Sequence, residues 1–201
     1  MTTIVAVQKN GKICIGADSL TLYGSRKELQ SKLVSGPDKL FCFEGMVFAA
    51  TSHPSWNLIF KNYLKTCSSE DFCDIDRIFK TLCKMHTALK TKYYLTPKTT
   101  HDLFESSEYN FLLATKHGLF DIEWDRTIRK CISMAAIGSG EQYALGAMKA
   151  CYPYFDDPKE IAFAGLKAAA CFDVKTELPA CMYYVTKDGV QKIENVSALT
   201  L

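Results

Sequence analysis

The tightest constraint on the fold lies in residues 3 to 17. Thr3 to Lys9 is rich in β-branched residues, Asn10-Gly11 follows, and Ile13 to Ala17 resumes the same character. An Asn-Gly pair supplies two consecutive residues that tolerate positive φ, the requirement of a tight hairpin turn, so the stretch predicts two antiparallel strands. Apolar residues occupy both alternations, Ile4 and Ala6 on one and Val5 and Val7 on the other. A sheet built on such a hairpin must be covered on both faces.

The remaining chain repeats hairpins and helix pairs. Thr21 to Pro37 is polar and punctuated by Gly and Ser, which predicts a loop or irregular β excursion. Leu40 to Phe43 and Met46 to Ala50, joined by Glu44-Gly45, predict a second hairpin. Ser52 or His53 then caps a helix from Ser55 to about Cys67, and a second helix runs from about Asp74 to Leu95 until Pro97 stops it. After an exposed connection, Tyr109 to Thr115 and Leu119 to Trp124 form a third hairpin, with one further strand over Ile128 to Ala136. Two alanine-rich helices follow, Glu141 to Tyr152 and Pro158 to about Phe172, the latter with Asp157 as N-cap and Pro at its first position. Met182 to Lys187 and Val190 to Glu194 close the chain as a hairpin. Helix pairs segregated between runs of antiparallel strands predict an α+β fold, a four-layer αββα sandwich of two antiparallel sheets, with residues 1–201 as a single domain.

Composition excludes several classes. A formal charge of +2 with no Lys/Arg run argues against a nucleic-acid partner, and no stretch has the length of a membrane span. A cytoplasmic protein is therefore expected. Nine cysteines are an odd number, and no CxxC or Cys/His cluster has metal-ligand spacing, so free thiols and no metal or other cofactor are expected. Cys14, Cys42, Cys131 and Cys181 sit in apolar runs, where a thiol acts as a small hydrophobe. His53, His86, His101 and His117 show no Ser or Cys partner by pattern, so turn or surface roles are expected for them.

Chemistry enters at the start of the first strand. Removal of Met1 makes Thr2 the N-terminus, with a hydroxyl and a free amine on adjacent carbon atoms. An α-amine has a reference pKa of about 7.7 to 8.0, so such a threonine carries its own general base. It needs a cation to bias the amine towards its neutral form, a carboxylate to hold that cation, and hydrogen-bond donors for the oxyanion.

Thr2-Thr3-Ile4-Val5-Ala6-Val7, Asn10-Gly11-Lys12 and Ile15-Gly16-Ala17-Asp18-Ser19 resemble the opening of the proteasome-type N-terminal nucleophile hydrolases, most closely their HslV-like members. Ala136-Ile137-Gly138-Ser139-Gly140, followed by Tyr143-Ala144, is similar to the later signature of the family. The similarity covers nearly the whole chain, and the tract around Tyr93 to Pro97 and Glu105 to Ser107 resembles the bacterial proteasome-homologue branch. The resemblance implies a threonine endopeptidase with Thr2 as nucleophile, its freed amine as base, and Asp18 holding an active-site lysine. Lys39 is preferred for that lysine because it enters a strand, with Lys32 as competitor. Ser139 is implied near the amine, Asp173 with Thr176 beyond the fourth helix, and oxyanion donors from Ala49 to Thr51. The small side chains of Ala49 and Ala50 suggest room for an apolar or medium-sized P1 residue.

The resemblance further implies a homo-oligomeric ring enclosing the catalytic threonines, an unfolded protein or peptide as substrate, and for some relatives an ATPase unfoldase as partner. Two alternatives stay open: a non-catalytic scaffold subunit that keeps Met1, and a small-molecule amidase of the same superfamily.

Overall fold

The computed structural model describes residues 2–23, 26–29, 39–53, 55–96 and 103–193. Met1, Lys32, Pro37, Pro97, His101 and Glu194, which carry expectations above, lie outside that set.

The opening hairpin forms as expected, β1 (Thr3–Lys9) and β2 (Lys12–Asp18), with Asn10 and Gly11 at φ 52° and 74°. Two successive positive-φ residues turn the chain with the handedness of the strand twist. A short ribbon follows, β3 (Leu20–Tyr23) paired with β4 (Arg26–Leu29), which resolves the first part of the polar excursion. Next come β5 (Leu40–Phe43) and β6 (Met46–Thr51), turned at Glu44 and Gly45 with φ 43° and 76°. Helix α1 (Ser55–Leu64) is capped by His53, whose Nδ1 accepts from Ser55 N–H. A 3-10 turn at Ser69–Phe72 and helix α2 (Ile75–Lys92) follow, the latter N-capped by Asp74.

β7 (Asn110–Thr115) and β8 (Gly118–Ile122) make the third hairpin. The single strand expected over Ile128 to Ala136 is instead two, β9 (Ile128–Cys131) and β10 (Met134–Gly138), and they belong to different sheets. The chain crosses between sheets at Ile132-Ser133, where Ile132 is 90% exposed. Helices α3 (Glu141–Cys151) and α4 (Pro158–Phe172) precede the closing hairpin of β11 (Ala180–Thr186) and β12 (Gly189–Lys192).

One sheet has the order β10-β1-β2-β11-β12 and the other β5-β6-β7-β8-β9. Three apolar cores account for four layers. Ile4, Ala6 and Ile15 face Leu40, Val47 and Leu112 between the sheets. Val5, Val7 and Cys14 pack outward against Ala144, Met148, Ile161 and Leu166 of α3 and α4. On the other outer face, Phe41, Phe48, Phe111 and Phe120 meet Trp56, Phe60, Leu82 and Leu89 of α1 and α2. Phe48 meets Phe72 edge to face at 5.3 Å and 88°. Full burial of such a side chain contributes roughly 1.5–3 kcal/mol. The double alternation read in β1 is therefore the signature of a strand with cores on both sides.

All nine cysteines are thiols, and Cys42 is exposed rather than absorbed into a core. Among the described residues, no helix is long and apolar enough to cross a membrane.

Candidate active site

The pairing registers bring the functional candidates to one end of the sandwich. Thr3 pairs with Gly138 across β1 and β10, Asp18 with Ala180 across β2 and β11, and Thr51 with Asn110 across β6 and β7. Thr2 lies just before β1 and is 7% exposed. Its carbonyl accepts from Ser139 N–H at 3.0 Å. In this chain Thr2 follows Met1, so its nitrogen is an amide and becomes an amine only on Met1 removal.

Asp18, 2% exposed, is held by donors on both oxygens. Oδ1 accepts from Thr3 N–H at 2.9 Å and from Lys39 Nζ at 2.8 Å. Oδ2 accepts from Leu20 N–H at 3.0 Å and Glu177 N–H at 3.3 Å. Four donors leave the carboxylate fully satisfied, which buried charge requires. Lys39 lies one residue ahead of β5 and also donates to the Leu20 carbonyl at 2.5 Å, so Asp18 and Leu20 fix its head group. Burial pushes the Lys39 ammonium below its ordinary value, and the Asp18 charge opposes that shift. Lys32 lies outside the described residues, so the comparison between the two lysines rests on Lys39 alone.

A second cluster approaches from the other side of Thr2. Ser139 Oγ donates to Asp173 Oδ2 at 2.6 Å, and Thr176 Oγ1 donates to the same oxygen at 2.6 Å. Burial works to raise the Asp173 carboxyl, but the bonds from Ser139 and Thr176 and the Lys175 N–H outweigh it, leaving the group below the usual carboxylate value. Asp173 is the C-cap of α4, and the next residues return towards β11, which places its side chain beside the Gly138-Ser139-Gly140 turn. Both glycines there are needed. A Cβ on Gly138, at φ 104°, would lie 1.9 Å from the Thr2 carbonyl oxygen, and one on Gly140 would lie 2.4 Å from Thr3 Oγ1. Only hydrogen at these positions lets the turn close onto β1.

The Ala49 to Thr51 segment ends β6 at the same rim. Thr51 Cγ2 would lie 3.3 Å from a Gly138 Cβ, so the two sheets meet beside Thr2. Ala50 N–H donates to the Lys39 carbonyl at 3.2 Å and can serve an oxyanion only by exchanging that partner. The methyls of Ala49 and Ala50 are packed in the inter-sheet and outer cores respectively. A cavity of about 500 Å³ opens beside Gly138, lined among others by Asn110, Asp121, Arg129 and Glu141.

Two of the histidines for which the sequence pattern shows no Ser partner have one in the structure. His53 Nδ1 lies 3.0 Å from Ser55 Oγ at the start of α1. His86 Nδ1 lies 2.9 Å from Ser107 Oγ, with His86 Nε2 3.0 Å from Glu105 Oε2. Sequence could not show the second contact, because it joins a helix face to a loop 21 residues on. Thr3, Leu20 and Glu177 were also missed as site members. Two of the three act through backbone atoms, and Thr3 reads as an ordinary β-branched strand residue. Among the described residues, no group of three or more His, Cys, Asp or Glu side chains could hold a metal ion.

This αββα sandwich, with a threonine at the head of its first strand, is of the proteasome type. The chain belongs to that family, in its HslV-like part: it is 32% identical to the BPH of Thiobacillus denitrificans solved in complex with epoxomicin, over 92% of this chain and 98% of that one, with a TM-score of 0.82. A second structure of the Thiobacillus denitrificans BPH gives 33% identity, over 92% of this chain and 100% of that one, at the same TM-score of 0.82. The eukaryotic HslV from Trypanosoma brucei shares the fold, with 16% identity, 90% and 98% coverage and a TM-score of 0.66. No family model and no curated protein sequence matches the chain.

Proposed function

We propose that this chain is a threonine endopeptidase whose nucleophile is Thr2, active once Met1 is removed and working inside a homo-oligomeric ring. The observation that carries the reading is the buried Asp18 carboxylate, which binds both the Lys39 ammonium at 2.8 Å and the Thr3 amide at 2.9 Å. It thereby ties a cation to the backbone beside Thr2. Thr2 Oγ1 attacks the peptide carbonyl, and its proton passes to the freed amine. Lys39 lowers the proton affinity of that amine by like-charge repulsion. Backbone donors at the Ala49 to Thr51 rim take the oxyanion, and one such donor is worth about 2.7–4 kcal/mol. The amine returns its proton to the leaving nitrogen. Water then attacks the ester, regenerating Thr2. Ser139 and Asp173 hold the other flank of the amine.

The epoxomicin complex of the Thiobacillus relative supports a peptide-like ligand for this site. An ATPase unfoldase is proposed as the source of unfolded substrate, and the cytoplasm as the location. The test combines intact mass with turnover of fluorogenic peptides. A mature chain beginning at Thr2, peptide cleavage abolished by Thr2→Ala, and epoxomicin bound by the wild type but not by Thr2→Ala are expected. A mature chain that keeps Met1 and cleaves nothing would identify the scaffold alternative, and turnover of small amides without peptides the amidase. Sedimentation of the purified protein checks the ring, which a monomer at all accessible concentrations would exclude.

A further inference from the structure

Thr3 is fully buried, and every polar atom on its amide and side chain is committed. Its N–H donates to Asp18 Oδ1 at 2.9 Å. Its Oγ1 accepts from Gly140 N–H at 3.2 Å and lies 2.5 Å from Thr176 Oγ1. Donor counting fixes the direction of that last bond. Asp173, as a carboxylate, can only accept, so the single hydroxyl hydrogen of Thr176 goes to Asp173 Oδ2 at 2.6 Å. The Thr3 hydroxyl must therefore donate to Thr176. The result is a one-way chain from Gly140 N–H through Thr3 and Thr176 to Asp173, which Ser139 joins from the opposite side. Hydrogen bonds aligned in this way polarise one another, and they fix the carboxylate more firmly than isolated pairs do.

We propose that Thr3 is the positioning residue that joins the two halves of the Thr2 site: its amide orients Asp18 and hence Lys39, and its hydroxyl orients Asp173 and hence Ser139 through Thr176. It touches neither substrate nor reacting atoms. The inference rests on the peptidase reading of Thr2. A methyl in place of the hydroxyl keeps the shape and the amide bond but severs the side-chain half. The two flanks of the nucleophile are then set independently.

The experiment measures kcat and KM for a fluorogenic peptide with Thr3→Val, Thr3→Ser and Thr176→Val, with Thr2→Ala as reference. Thr3→Val is expected to lower kcat about tenfold, the scale of one lost hydrogen bond, with KM changed less than about twofold. Thr3→Ser restores kcat to within about threefold, and Thr176→Val added to Thr3→Val lowers it by less than about twofold more, because the chain is already cut. Wild-type kcat in Thr3→Val, equal losses in Thr3→Val and Thr3→Ser, or additive losses in the double variant would overturn the proposal. If Thr3→Val does not fold, Thr176→Val with Thr176→Ser as its rescue is read by the same criteria. Amide hydrogen exchange at Gly140 needs no turnover: it should accelerate in Thr3→Val and not in Thr3→Ser, and unchanged exchange in both removes the proposal. Activity surviving in Thr2→Ala would instead remove the peptidase reading, whatever the Thr3 variants show.

Discussion

Among the described residues, two clusters have the ingredients of a hydrolase. One, at the head of β1, holds Thr2 between Asp18–Lys39 and Ser139–Asp173. The other, on α2, lines up Ser107, His86 and Glu105 at 2.9 and 3.0 Å, and by side-chain geometry alone it looks the more reactive. Access and donor accounting reverse that impression. Ser107 is 0% exposed, and its Oγ already accepts from Arg126 Nη1 at 2.8 Å. Glu105 is tied to Lys90 at 2.7 Å, and Arg126 also donates to the Glu105 carbonyl at 2.8 Å. The Ser-His-Glu line is thus a clasp that fixes residues 105–107 on α2. The Thr2 cluster is the reverse: its supports are saturated, whereas Thr2, the proposed nucleophile, is at the rim where two sheets end.

The largest expected effect separates the clusters outright. Thr2→Ala should lower peptide turnover by about 10³-fold or more, while His86→Ala leaves it within about twofold. The opposite ranking would transfer the chemistry to α2. Next, Lys39→Met leaves Asp18 buried without its cation, and removing one partner of a buried pair typically destabilises by about 3–5 kcal/mol. Urea unfolding of Lys39→Met should show a loss near that scale together with lost turnover. A loss under about 1 kcal/mol would mean that the three backbone donors to Asp18 suffice.

Most of the architecture was legible in the sequence because periodicity and turn chemistry are local. β1 matches Thr3 to Lys9, α4 matches Pro158 to Phe172, and Asp157 caps α4 as its position before Pro158 requires. Ile128 to Ala136 misled because its apolar pattern runs unbroken across the passage from one sheet to the other. Thr2 could be named from the chemistry of a terminal threonine, and Asp18, Lys39 and Ser139 through the motifs that resemble the proteasome-type family. The contact of Asp173 with Ser139 could not be seen, since it spans 34 residues and depends on how a helix end meets a glycine turn. The clasp on α2 was invisible for the same reason.

A smaller effect measures what that clasp does for the fold. Ser107→Ala removes the partner of His86 Nδ1 and one of the two acceptors of Arg126 Nη1, and leaving a buried polar group unsatisfied costs about 1–3 kcal/mol. Stability should fall by that amount with turnover unchanged. An equal fall in both would show that the clasp reaches the Thr2 site.

The smallest effect is a pH dependence confined to the clasp. Hydrogen bonds from Lys90 and His86 hold the Glu105 carboxyl down to about 2, against an ordinary value of 4.5. A depressed folded-state pKa means that the unfolded chain binds the proton more readily, so the associated stability is complete above about 4.5 and is lost as pH falls through about 2. Glu105 is exposed, so solvent screening keeps the effect small. Hydrogen exchange in residues 103–108 should therefore exceed its intrinsic pH trend between pH 5 and 2.5 in the wild type, and should already be fast and follow that trend in Glu105→Gln. The Thr2 rim offers no equivalent release in that window through Glu105, because none of its bonds passes through that carboxylate. Parallel loosening of Ser139 and Gly140 with residues 103–108, absent in Glu105→Gln, would mean that the two clusters are one cooperative unit.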